Sequence, residues 1–146
     1  MRLGLPNKAT RERVVRKGVR GMKALFFAVL LSLATVPAIA ADWYENGSLH
    51  GESALVWQEA SDANRLATAG DLIASSFQND MLIPEISSRI RSVDDIRPLA
   101  EELVNQLDAA FEPVDDPSQN RQIYANQKVN ETAAMLMIMM GWVDLG

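Results

Sequence analysis

Apolar residues recur at helical spacing along most of this chain, and no stretch alternates with the two-residue period of a strand. Leu66, Ala69, Ile73 and Phe77 step by three and four residues, which places them on one side of a helix. Ser61 or Asp62 suits its N-cap. Small residues at Ala63, Ala67, Gly70 and Ala74 leave room there for a neighbouring helix to approach closely. Leu99, Leu103, Leu107 and Phe111 recur every four residues, with Ile96, Ala100, Val104 and Ala110 widening the stripe. Glu101, Glu102, Asn105, Asp108 and Glu112 fall on the far side, so the pattern predicts an amphipathic helix from about Ile96 to Glu112. Pro98 fits it if the helix begins near Asp95, because first-turn amides have no helical acceptor in any case. Shorter helices are expected over Ala54 to Ala60 behind Ser53, with Leu55 and Trp57 apolar, and after Pro84, where Ile83, Ile86 and Ile90 share a side. A Pro- and Asp-containing loop spans Glu112 to Asn120, and a last helix starts between Arg121 and Glu131 and ends at Gly141. With no internal repeat, the expectation is an all-α domain over residues 41–146, a small bundle of four to five helices.

The last helix breaks the amphipathic rule. "AAMLMIMMGW", Ala133 to Trp142, is apolar on every side, so a helix here must be surrounded, and a central core position is the expected one. A second reading buries half of it in its own domain and half in a partner, for which four adaptable methionines are suited. A third is Cu(I) ligation, since Met135 and Met139 share a face and thioethers are soft ligands; no second ligand cluster accompanies them, and no metal or other cofactor is expected. The stretch is too short to span a bilayer.

Near the N-terminus the pattern changes from helical to that of an export signal. From Met22, Lys23 forms a basic n-region, Leu25 to Val36 an apolar run of twelve residues, and Ala38-Ile39-Ala40 a small-residue cleavage motif, with cleavage expected between Ala40 and Ala41. Residues 1–21 carry seven Lys or Arg and one Glu. They read either as a long n-region or as sequence upstream of a true start at Met22, and the second is preferred because the signal is complete from Met22. The expected location is periplasmic or secreted, with no stable membrane span after cleavage. No cysteine occurs, so disulfides, thiol chemistry and cysteine-type zinc sites are excluded.

Removing residues 1–40 changes the charge decisively. They hold eight Lys or Arg and one acid, whereas residues 41–146 hold six Lys or Arg and eighteen Asp or Glu, a net of −12. Nucleic acid and anionic lipid both demand a basic face, so neither is an expected partner; a protein partner or a homodimer is. Candidate chemistry is sparse. His50 is the single histidine and lies in a polar lead-in (ADWYENGSLHG, 41–51) with a turn at Asn46-Gly47. An enzyme would need to gather His50, Arg65 and carboxylates in one pocket. Asp94-Asp95 and Asp115-Asp116 lack the spacing of a calcium loop, and no nucleophile elbow, zinc-protease pattern or phosphate loop is present. No catalytic residue is assigned on this basis. Candidate interaction residues are Arg65 and Asp71, the wet acidic pair Glu101 and Glu102, and Met135, Met139 and Trp142 of the apolar segment.

The succession of signal peptide, "DWYENGSLH", a Trp57-containing helix, "NRLATAGDL" (Asn64 to Leu72) and the terminal "MGW" resembles a group of small exported bacterial proteins for which no activity is established. Asn64, Arg65, Thr68 and Asp71 are the polar members of that middle segment. "LATAGDLI" is also similar to an N-terminal helix of periplasmic immunity proteins of type VI secretion, which implies a secreted effector as partner.

Overall fold

The computed structural model describes residues 41–143. The expected signal peptide, its cleavage site at Ala40 and residues 144–146 lie wholly or partly outside the described residues. Those residues are helical and contain no strand: α1 (Ala54–Glu59), α2 (Asp62–Gln78), α3 (Pro84–Ser87), α4 (Val93–Ala110), α5 (Pro117–Tyr124) and α6 (Val129–Met139). The count exceeds the expected four to five because the C-terminal helical stretch is divided. Asp116 accepts from the amides of Ser118 and Gln119 and starts α5 with Pro117 in its first turn. A second helix, α6, then begins at Val129.

The long pair α2 and α4 forms the centre, α6 lies against both, and α5 packs beside α1. The predicted stripes point inward. Ala69 and Ile73 of α2 meet Ala100, Leu103 and Leu107 of α4 in one buried cluster, with Val129, Ala133 and Met137 from α6 and Leu66 and Phe77 at its margin. Trp57, Phe111 and Tyr124 form a run of edge-on aromatic contacts, 6.3 and 6.4 Å between successive ring centres, that joins α1 to the end of α4 and to α5.

Helix α4 starts two residues before the earliest start that the position of Pro98 had suggested. The Asp95 carboxylate accepts from the amides of Arg91 and Ser92 at 3.0 and 2.8 Å and from the Ser92 hydroxyl at 2.9 Å. This side-chain anchor holds the chain entering the helix, so the first turn forms at Val93 and Pro98 falls in the second turn, on the exposed side.

The first-turn amides of α6 are satisfied by a distant segment. Val129 donates to the Glu52 carbonyl at 3.0 Å and Asn130 to the His50 carbonyl at 3.1 Å. At the other end, Gly141 takes φ +69°, and the Trp142 amide donates back to the Met137 carbonyl at 2.9 Å. This left-handed cap ends the helix where a side chain would be strained. The Trp142 carbonyl then accepts from the Ile83 amide at 2.9 Å, tying the chain after α6 to the start of α3.

Candidate functional site

Besides the acidic pair on α4, three groups of sequence candidates separate in space. The first surrounds the lead-in. Its turn is made by Asn46 at φ +68°, after which residues 48–50 lie along α2. The Ser48 amide donates to Asn64 Oδ1 at 3.0 Å, the Leu49 amide to Thr68 Oγ1 at 3.2 Å, and His50 Nε2 meets Asp71 Oδ2 at 3.1 Å. Asn64, Thr68 and Asp71 are spaced by four and three residues, so one side of α2 offers a polar ladder to an extended chain. Glycine makes the close approach feasible: a Cβ on Gly47 would come within 2.7–2.9 Å of Asp71 Oδ2, the Thr68 amide and the Ala67 backbone. Gly70 is filled by the Trp43 indole, whose ring carbons lie 2.9–3.3 Å from where its Cβ would stand. Two small positions of α2 thus receive the lead-in, Ala67 opposite Gly47 and Gly70 under Trp43, so at these two the expected close approach of a neighbouring helix is corrected. Nothing in the polarity of ADWYENGSLHG announced this; the signal was Thr68, a lone hydroxyl inside an Ala- and Gly-rich turn that is fully buried.

Arg65 belongs to a second group and does not join His50. Its Nε donates to the Trp57 carbonyl at 3.0 Å and Nη2 to the Gln58 carbonyl at 2.8 Å. Nη1 lies 3.4 Å from Asp108, and the guanidinium sits 5.9 Å from the centre of the Trp57 ring. With only 17% of its side chain exposed, Arg65 closes the C-terminal end of α1 instead of presenting charge to a partner. Asp71 is likewise engaged inside the domain, by His50. The pocket that an enzyme would need is therefore not assembled from these two residues, which serve different joints. Among the described residues no three His, Cys, Asp or Glu side chains gather as a metal site, and no buried side-chain nitrogen or oxygen lacks a partner.

On the exposed side of α4, Glu101 pairs with Arg97 at 3.0 Å and Glu102 accepts from Gln106 at 2.9 Å, both four residues away along the helix. These contacts occupy the carboxylates in the ordinary manner of a wet helix face.

The third group is α6. Val129, Ala133 and Met137 are buried, and Leu136 and Met140 pack at the edge of the core. Met135, Ile138 and Met139 face outward with 54, 40 and 74% of their surface exposed. The central-core expectation is thereby corrected: α6 rests on α4 and α2 along one side and carries an apolar strip on the other. Trp142 is half-buried against the core and is not free surface. From Thr132 to Val143 the chain has no ionisable residue, which makes the strip neutral within a strongly acidic domain. Among the described residues no helix is long and apolar enough to cross a membrane.

No protein-family model, curated protein or solved structure matches the chain.

Proposed function

We propose that this chain is a small exported protein, delivered to the periplasm or outside the cell, that acts by binding another protein through the outer face of α6. The observation that carries this reading is the exposed trio Met135, Ile138 and Met139 on a helix whose opposite side is core. Large apolar side chains grouped on one helix face cost free energy in water and are offset when a partner covers them. Methionines suit that task because their unbranched side chains adapt to the surface they meet. The face also states the partner's chemistry. It carries no charge, so it offers nothing to a basic ligand, and its complement is an apolar, uncharged protein surface. The acidic remainder of the domain keeps it soluble and opposes contact by its other faces. Export is supported by the Met22–Ala40 pattern, and the absence of cysteine leaves packing alone to hold the bundle.

The test is native mass spectrometry on the protein recovered after expression of the full gene, alongside the paired variant Met135→Glu/Met139→Glu. The expected result is a chain beginning at Ala41 that carries a bound protein, with the bound species lost in the variant while the melting temperature is retained. A chain that carries no second molecule at any concentration up to the tens-of-micromolar range overturns the reading, as does an assembly that survives both glutamates. A second copy of the chain on this face, or a different protein, is told apart by the mass itself.

A further inference from the structure

Five methionines lie in the described residues, and the fold sorts those of α6 into two environments. Met139 and Met135 are 74 and 54% exposed and stand four residues apart on one side of the helix, whereas Met137, between them in sequence, is 4% exposed in the core. We propose that Met139 and Met135 form a paired oxidation site for two-electron oxidants of the peroxide or hypohalous acid class, and that their sulfoxidation turns the outer face of α6 from apolar to polar without unfolding the domain. The chemistry is direct. A thioether sulfur lone pair attacks the terminal oxygen of a hydroperoxide, the O–O bond breaks, an S–O bond forms, and the departing oxygen leaves as water or alcohol. Sulfur loses two electrons and the peroxide gains them, so no further reactant is required. The rate follows access of the oxidant to the sulfur, which the fold grants to the outer pair and denies to Met137.

The consequence follows from where the two sulfurs sit. Each sulfoxide adds a strong hydrogen-bond acceptor to a strip otherwise made of Met135, Ile138 and Met139, so both ends of the strip become polar together. The helix itself has no reason to melt. Its first amides are held by the Glu52 and His50 carbonyls, its end is closed by Gly141, and its core-facing residues Val129, Ala133 and Met137 are untouched. The site therefore separates a change of surface from a change of fold. The further effect, loss of docking by the oxidised free chain, rests on the proposed binding role. Oxidation then acts on the free chain, and a bound partner shields it.

The experiment treats the purified full chain with limiting hydrogen peroxide and maps sulfoxides by peptide mass spectrometry over time. Retention on a hydrophobic-interaction column and the thermal melt are followed in parallel on a Met81→Leu background, because Met81 outside α6 is itself 45% exposed, and adding Met135→Leu/Met139→Leu gives an apolar control that cannot be oxidised on this face. The expected result is sulfoxide at Met139 and Met135 at a rate roughly ten times that of Met137 or more, in keeping with their exposures. Earlier elution with an unchanged melt should accompany it, and the earlier elution should be missing from the leucine variant. Equal rates at Met137, a melt that collapses as the outer pair reacts, or the same loss of retention in the leucine variant overturns the proposal. If the sulfoxide pattern and retention shift occur but no protein is ever carried by the unoxidised chain, the binding role fails and the oxidation site stands.

Discussion

Arg65 offers the sharpest separation of a structural role from a recognition role. In the sequence it is one of six cations in an acidic domain and a natural candidate for a partner's carboxylate. In the structure it is spent on the junction between α1 and α2, donating to the carbonyls of Trp57 and Gln58 at 3.0 and 2.8 Å. Replacing Arg65 with Ala removes two hydrogen bonds from a charged donor, each worth about 1.5–3 kcal/mol. Water reaches part of the vacated end of α1 and recovers some of that. The contact over the Trp57 ring adds about 1 kcal/mol. A net loss of about 3 kcal/mol follows, which in a domain of about 100 residues lowers the melting temperature by roughly 12–20 °C. Arg65→Lys should recover a minor part, since an ammonium cannot fork to two carbonyls and lie flat on an indole. The assay is urea unfolding followed by tryptophan fluorescence, with the midpoint and slope compared between parent and variants. A midpoint shift worth less than about 0.5 kcal/mol for Arg65→Ala, the range of an ordinary surface change, would refute the account of this residue.

Three further outcomes follow from the lead-in and the helix starts. Thr68→Val removes the acceptor of the Leu49 amide inside the fold and should cost about 1–3 kcal/mol by thermal denaturation, whereas Thr68→Ser should be milder. Gly47→Ala drives a methyl into Asp71, Thr68 and the Ala67 backbone. It should detach residues 41–50 from α2, which hydrogen exchange at the Ser48 and Leu49 amides reads directly, while leaving the α2–α4 core protected. The Asp95 carboxyl is held below its ordinary range, first by the Arg91 amide and then by the hydroxyl and amide of Ser92. Its contribution is present above the unfolded carboxylate value of about 3.9 and disappears as pH falls through the lower native value. The melting difference between the parent and Asp95→Asn should accordingly be constant near neutrality and vanish in strong acid; a difference that persists there contradicts the assignment.

The helices were legible where burial is one-sided. The Leu99, Leu103, Leu107 and Phe111 stripe names its buried face because the opposite positions are polar, and it lies in the observed core; α2 places Ala69 and Ile73 in that core but also buries Ala67 and Thr68. The start of α4 was misjudged because a proline marks where a helix is strained, while the Ser92–Asp95 contact that actually begins it lies three residues apart and upstream. The lead-in was illegible for a different reason. Its residues are polar and glycine-rich, the composition of a loose segment, and its order comes from acceptors on α2 that gain meaning only once the helix is wound and the spacing of Asn64, Thr68 and Asp71 becomes a ladder. The sequence could not tell which side of α6 packs, since hydrophobicity on all sides carries no direction. The packing of α6 on α4 and α2 decides which methionines are core and which are surface.

That last distinction is the centre of the account, and surface footprinting tests it most directly. Carbene or hydroxyl-radical labelling of the isolated chain should mark Met135, Ile138 and Met139 strongly and spare Met137, and in the partner-bound form protection should concentrate on those three residues. Labelling of the trio that is equally strong in the free and bound chain, with protection falling instead on the Glu101 and Glu102 side of α4, would contradict it.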